Sequence, residues 1–152
     1  MSDSFPSNSN NTNIKCNVTI INSEFNTDIV NQLISTTENR LKEISNVNIS
    51  KISVPGAYEI PYIAKKIVER KSADAIICIG AIIRGETTHY DLISENVFMS
   101  ISNLNNLGTL PIINGILTTE NINQAKERIK NGIYYADTVS YTHLRAHETE
   151  TN

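Results

Sequence analysis

The chain of 152 residues has no tryptophan, few other aromatic residues and only two cysteines. Cys16 and Cys78 stand far apart, so they indicate packed, reduced thiols of a cytosolic protein rather than a disulfide framework or a metal site. No apolar run reaches membrane-spanning length, and the N-terminus lacks the apolar segment of a signal peptide. A net charge of −3, with both signs interspersed, indicates neither nucleic acid nor an anionic membrane as partner. We therefore expect a cytoplasmic protein of about one domain.

What the sequence does contain is a regular alternation of strand and helix patterns. The apolar periodicity predicts four strands, at Ile14–Ile21, Val47–Val54, Ala75–Ile79 and Leu110–Leu117, with helices over about 26–43, 60–71, 90–105 and 118–130. Short loops and the absence of an internal repeat predict parallel strands joined by right-handed crossovers. The expected fold is α/β, a three-layer α/β/α sandwich with a four-stranded parallel sheet. Residues 1–13, mostly Ser and Asn, are predicted to be disordered or to form an extended arm that can add a strand to a neighbouring subunit's sheet.

The stretch Gly80–Asp91 (Gly-Ala-Ile-Ile-Arg-Gly-Glu-Thr-Thr-His-Tyr-Asp) carries the strongest functional signal. It follows an apolar run that suits a strand covered on both faces, and it leads through Gly85 and two threonines into a helix. Unpaired N–H groups and the positive end of a helix dipole, next to hydroxyl groups, predict an anion site. His89 would lie at its edge, where it could exchange protons with a bound phosphate ester. Both features also have ordinary interpretations, since threonines before a helix are commonly N-caps and a lone histidine there is commonly a surface residue.

Three further side chains have two interpretations each. Phe25, in the loop after the first strand, either stacks on a planar ligand or lies against the edge of the core. Glu59 either favours a helix dipole or accepts hydrogen bonds from a polyol. Arg128 is either a solvated helix charge or a phosphate clamp. Ligands gather at the carboxyl ends of parallel strands, and the candidate positions fall there: Phe25, Ala57–Glu59, Gly85–His89 and Asn114–Thr118.

In these loops the sequence resembles the lumazine synthase family. The matching segments are Phe25-Asn26, Val54–Pro61 (Val-Pro-Gly-Ala-Tyr-Glu-Ile-Pro), Gly80–Asp91, and Gly115–Glu120 continuing through Gln124-Ala125 and Glu127-Arg128. Their order and spacing agree with the family over roughly Lys15–Lys130. The resemblance implies a flavodoxin-like enzyme of riboflavin biosynthesis, without metal or organic cofactor. Such enzymes condense 5-amino-6-(D-ribitylamino)uracil with 3,4-dihydroxy-2-butanone 4-phosphate to give 6,7-dimethyl-8-ribityllumazine.

The resemblance also implies a role for each site residue. Residues expected to bind the pyrimidine and the ribityl chain are Phe25 by stacking, Glu59 through ribityl hydroxyls, and the backbone around Ala57, Tyr58, Ile82 and Ile83. Residues expected to bind phosphate are Gly85, Glu86, Thr87 and Thr88, with Arg128 supplied by an adjacent subunit. His89 is expected to move protons during imine formation and phosphate elimination. Asn114 stands where the family usually has an aromatic residue that lines the neighbouring subunit's pyrimidine pocket.

Assembly and activity follow from the same resemblance, and two alternatives remain. Family members form homopentamers, some of which build shells of twelve pentamers, and riboflavin synthase is a candidate partner. One alternative is a cage-forming or flavin-binding homologue that keeps the scaffold without turnover. The other is an unrelated flavodoxin-like phosphate-binding domain, which would be monomeric.

The C-terminal end departs from the family pattern. The family has a Gly- and Lys-containing loop after the residue that corresponds to Arg128, followed by an Ala-rich last helix, and its second phosphate-binding lysine aligns with Ala136. We therefore assign 14–136 to the lumazine synthase domain and expect it to lack the last helix. Residues 137–152 resemble the translation of a sequencing adapter, and our hypothesis is that this end is a library artefact joined to a truncated gene. His143 and His147 have helical i, i+4 spacing, but no third ligand accompanies them, so we predict no metal site.

Overall fold

Four strands form one parallel sheet with helices on both faces. The computed structural model describes residues 15–86 and 88–151, so the predictions for residues 1–13 and for Thr87 lie outside it. The strands are β1 (Lys15–Ser23), β2 (Asn46–Val54), β3 (Ala75–Ile83) and β4 (Ile112–Thr119), in the sheet order β2-β1-β3-β4. The helices are α1 (Thr27–Ile44), α2 (Ile60–Arg70), α3 (Tyr90–Asn106), α4 (Ile122–Glu127) and α5 (Asn131–Thr151), and a 3₁₀ turn covers Ala57–Glu59. The predicted α/β class and parallel sheet are confirmed.

Strand β3 is the centre of the molecule, and all nine of its residues are buried. It pairs with β1, where Val18 lies opposite Ala75, and with β4 on its other side. A strand enclosed by two parallel neighbours and by helices above and below reads as a continuous apolar run. The strand extends to Ile83, beyond the predicted end at Ile79. Gly80 does not interrupt it: a Cβ there would lie 2.9 Å from the Ser23 Oγ, so this glycine is needed for close packing between β1 and β3.

Two apolar cores lie on the two faces of the sheet. Helices α1, α4 and α5 cover one face, where Ile29, Leu33 and Leu41 of α1 are buried against residues such as Ile77. Helices α2 and α3 cover the other face, where Val97 and Ile101 are buried. Both long helices bury an apolar stripe against the sheet, in which Ile44, Ile93 and Leu104 are only partly buried. Within the described residues, no helix is both long and apolar enough to cross a bilayer.

The boundary between β4 and α4 differs from the prediction. The strand continues to Thr119, because Thr118 and Thr119 pair with Ile82 and Ile83 at the extended end of β3. The two threonines therefore belong to the strand, and the following helix begins only at Ile122. Its N-cap is Asn121, whose side chain accepts a hydrogen bond from the Gln124 N–H at 2.9 Å.

The expectation that the last helix is missing is wrong, because α5 packs against α1 and β4. Tyr135, Ala136 and Val139 are buried at helical spacing on one face of α5. Gly132 permits close contact with α1, since a Cβ there would lie 2.8 Å from the Thr37 Oγ1. Arg40 Nε and Asp137 Oδ1 form an ion pair at 2.8 Å between the same two helices.

Candidate active site

The sheet order places a crevice between β1 and β3. The chain leaves β1 toward β2 on one side, whereas β4 lies on the other side of β3, so the loops that follow β1 and β3 diverge. Such a switch point is the usual ligand site of open α/β sheets. A pocket of about 190 Å³ lies there, lined by Ser23, Phe25, Gly56, Ala57, Tyr58, Ala81, Ile82, Ile83, Glu86 and Ile93. Five of the predicted substrate-binding residues are in this set: Phe25, Ala57, Tyr58, Ile82 and Ile83.

Phe25 stands at the mouth of the pocket with 59 % of its surface exposed. The structure thus excludes the interpretation of a ring buried at the core edge. The neighbouring Asn26 has a left-handed backbone (φ 61°) and donates its side-chain Nδ2–H to the Ala81 carbonyl at 2.9 Å. Asn26 occupies the N-cap position of α1, but its side chain does not cap the helix. Its hydrogen bond instead fixes the loop that carries Phe25 to the end of β3.

The turn after β2 forms the opposite wall. Gly56 donates its N–H to the Glu59 Oε1 at 2.9 Å, and Glu59 returns its own N–H to the Gly56 carbonyl at 3.1 Å. This reciprocal pair closes the 3₁₀ turn and presents Ala57 and the exposed Tyr58 ring to the pocket. Glu59 is exposed and is not among the lining residues, so in the structure its carboxylate stabilises the turn.

The strand–turn–helix geometry predicted for the anion site is present between β3 and α3. Gly85 has φ +93°, a conformation that side chains rarely adopt, and Glu86 donates its N–H to the Ile83 carbonyl at 3.2 Å. His89 is the exposed N-cap residue of α3, and its carbonyl accepts the Ile93 N–H at 2.9 Å. We call Gly85, Glu86, Thr88 and His89, where we predict that a phosphate binds, the phosphate turn. All four are exposed, and they lie at the positive end of a helix of 17 residues.

Arg84, to which the sequence reasoning gave no role, connects this turn to the segment after β4. Its Nη2 lies 3.1 Å from the Asp91 Oδ1, and its Nε lies 3.0 Å from the Glu120 Oε2. The guanidinium also lies over the Tyr90 ring, 4.3 Å from the ring centroid. Hydrogen bonds to Glu120 and then to Asp91 raise the pKa of Arg84. The sequence shows Arg84 within the anion motif and Asp91 seven residues later, but no local pattern indicates the pair with Glu120.

Arg128 and Asn114 lie apart from the pocket of their own chain. Arg128 is exposed, and its Nη1 donates to the Thr118 carbonyl at 3.2 Å. Asn114 is exposed in the middle of β4 opposite Cys78, and its Oδ1 accepts the Ile116 N–H at 3.0 Å. Neither residue lines the pocket. Their assignment to a neighbouring subunit's site stays a prediction.

The described residues offer no assembled metal ligands and no reactive thiol. Among them, no three His, Cys, Asp or Glu side chains are grouped so that they could hold a metal ion. Burial raises the pKa of the Cys16 and Cys78 thiols to about 12, which keeps both protonated at neutral pH. From the residues present, we predict that the site stacks a planar ring, binds an anion at a helix start and exchanges protons at His89.

Comparison with known proteins agrees with the resemblance. Residues 15–145 match the family model of 6,7-dimethyl-8-ribityllumazine synthase. The chain is 42 % identical over 109 residues to a 6,7-dimethyl-8-ribityllumazine synthase of Limosilactobacillus reuteri (strain DSM 20016). The aligned residues make up 72 % of each of the two chains. The family match continues past Ala136 into the segment that we interpreted as foreign. The origin of residues 137–152 stays a hypothesis.

Proposed function

The chain belongs to the 6,7-dimethyl-8-ribityllumazine synthase family, and we propose that the pocket between the ends of β1 and β3 is its active site. Its function is the condensation of 5-amino-6-(D-ribitylamino)uracil with 3,4-dihydroxy-2-butanone 4-phosphate in riboflavin biosynthesis, a transferase reaction. One observation carries the placement: an apolar pocket with an exposed aromatic ring at its mouth directly adjoins the N-terminus of α3, and we propose that this helix start binds the anion. The two substrates need these two environments, one for a planar heterocycle and one for a phosphate.

The pyrimidine substrate occupies the apolar side of the pocket. Phe25 stacks on the ring, and its loop is held in place by the hydrogen bond from Asn26 to Ala81. Backbone groups near Ala57 and Ile82 bind the edge of the heterocycle, which fixes its orientation. Holding the amine of this substrate next to the ketone of the other one supplies much of the acceleration, because a bimolecular step becomes effectively unimolecular.

The phosphate of the second substrate binds at the phosphate turn. Backbone N–H groups at the start of α3 and the Thr88 hydroxyl stabilise the charge that grows as phosphate leaves. His89 lies at the same helix start and takes and returns protons during imine formation and elimination. Since positioning carries much of the catalysis, loss of the His89 imidazole is expected to slow turnover without abolishing it.

We also propose that the enzyme works as a pentamer or a larger assembly in the cytoplasm. Several large apolar side chains of α2 and α3 are more than half exposed, namely Tyr62, Leu92 and Met99, and contact with further copies would cover them. Cys16 and Cys78 are both free, which suits a reducing compartment. Light scattering tests the assembly: each chain is 16.9 kDa, so a pentamer has about 85 kDa, and a monomer would contradict the proposal.

The function is tested by mixing the purified protein with both substrates and following lumazine absorbance and fluorescence. Formation above the uncatalysed rate is expected, and His89→Ala should be slower but still above that rate. A wild-type protein that quenches flavin fluorescence yet forms product only at the uncatalysed rate would contradict turnover. That outcome would identify a non-catalytic flavin-binding member of the family.

A further inference from the structure

We propose that Arg84 is a positioning residue that sets the geometry of the phosphate turn by joining it to the segment after β4. Its side chain leaves the end of β3 and makes two ion pairs in different directions, to Asp91 on α3 and to Glu120 beyond β4. The inference rests on the proposed function, because it assigns to this residue the alignment of the phosphate-binding groups.

The contacts of Arg84 span the elements whose relative position matters for anion binding. Asp91 lies in the first turn of α3, so the ion pair acts at the helix start that presents the N–H groups. The Arg84 N–H donates to the Thr119 carbonyl at 2.8 Å, and the Arg84 side chain then reaches the adjacent Glu120. Main chain and side chain of one residue thus hold the end of β4 at two points.

The segment on the far side of this connection is itself ordered. The Glu120 N–H donates to the Gln124 Oε1 at 2.8 Å, which fixes Glu120 to α4. Arg128, the predicted phosphate clamp, is bound to the Thr118 carbonyl in the same region. Arg84 therefore links the two parts of the chain that carry candidate phosphate ligands.

Arginine is suited to this task in a way that lysine is not. A planar guanidinium can bind two carboxylates through separate N–H groups while its face lies on a ring, as it does over Tyr90 at 4.3 Å. A lysine ammonium at this place could keep one ion pair but not all three contacts. The single positive charge of Arg84 also offsets one of the two negative charges of Asp91 and Glu120, which weakens their repulsion of an approaching phosphate.

The first experiment measures Arg84→Ala and Arg84→Lys with Arg70→Ala as control, since Arg70 is an exposed arginine at the end of α2. We expect Arg84→Ala to raise KM for the phosphate-bearing substrate about 10-fold, because small misplacements of binding groups cost this much or more. In Arg84→Ala, KM for the pyrimidine substrate should stay within about 2-fold of wild type. For Arg84→Lys, KM for the phosphate-bearing substrate should fall between the values of wild type and Arg84→Ala. Equal KM values for wild type and Arg84→Ala, or equal losses for both substrates, would overturn the proposal.

A second experiment separates positioning from direct contact with phosphate. In the background Asp91→Asn/Glu120→Gln the connection is already weakened, so adding Arg84→Ala should change phosphate affinity by less than about 2-fold. A full loss in that background would show that Arg84 binds phosphate itself. Binding of inorganic phosphate, followed by titration calorimetry, gives the same comparison without turnover. A protein that binds phosphate as expected but forms no lumazine would contradict the proposed function and leave the role of Arg84 standing.

Discussion

Replacing Val139 by Ala tests whether α5 is an integral part of the fold. Val139 is 1 % exposed and lies three residues beyond Ala136, inside the segment that we interpreted as foreign from its sequence. The change removes two buried carbon groups, each contributing about 0.8 kcal/mol, and leaves a small cavity. We therefore expect the free energy of unfolding to fall by about 2 kcal/mol.

The assay is urea unfolding followed by far-ultraviolet circular dichroism, at one fixed protein concentration because assembly contributes to stability. The slope with urea should be unchanged, so that only the midpoint moves. Ala146→Ser is the matched control, since Ala146 is exposed in the same helix and its change should stay within about 0.5 kcal/mol.

An equal midpoint for wild type and Val139→Ala would refute the reasoning. It would mean that the residues after Ala136 are not packed on α1 and β4, and that they behave as an appended chain. A loss near 2 kcal/mol would instead show that these residues stabilise the domain whatever their genetic origin.

Three further predictions concern substrate binding, packing and pH. Phe25→Ala should raise KM for the pyrimidine substrate about 10-fold through lost stacking. Tyr134→Ala, an exposed aromatic of α5 outside the pocket, should leave that KM unchanged, and equal effects of the two changes would contradict the stacking role. Gly115→Ala should lower the free energy of unfolding by about 3 kcal/mol, because the new Cβ would lie 2.8 Å from the Cys78 carbonyl oxygen, and a wild-type urea midpoint would show that the strands adjust. Burial raises the pKa of the Cys16 and Cys78 thiols from 9.0 to about 12, so unfolded thiols ionise above pH 9 while folded ones stay protonated. Because the unfolded state then releases protons that the folded state keeps, the free energy of unfolding is unaffected below pH 9 and falls between pH 9 and 12, by about 1.4 kcal/mol per cysteine at pH 10. A variant with both cysteines changed to Ala should lack this fall, and the same pH dependence as wild type would contradict the prediction.

The order of elements could be predicted from the sequence because it depends on local periodicity. Apolar spacing in α1 and the unbroken apolar run of β3 are visible within short windows. The end of β3 could not be predicted, since Gly80 reads as a break unless its contact with Ser23 is known. The last helix was missed because its composition was compared with a family pattern, although Tyr135, Ala136 and Val139 already had helical spacing.

Some features of the candidate site could likewise be predicted from the sequence, and others could not. Phe25 and the turn at Gly85 follow directly after strands, and their place at the strand ends is a property of parallel sheets in general. The role of Arg84 depends on Glu120, which is 36 residues away along the chain, and no local pattern reveals such a pair. The hydrogen bond between the Gly56 N–H and the Glu59 carboxylate was not predicted either, because the resemblance assigns that carboxylate to substrate binding.

The pairing of β1 with β3 determines when this protein can fold during its synthesis. Asn17, in β1, and Asp74, just before β3, exchange hydrogen bonds, and 57 residues are added to the chain from Val18 to Asp74. At about 5 to 20 residues per second, a ribosome needs roughly 3 to 11 s to add those residues. During that interval the inner edge of β1 is exposed without its partner, and its apolar residues are accessible to other nascent chains. A chaperone that covers this edge early would therefore raise the yield of folded protein more than one that acts after release.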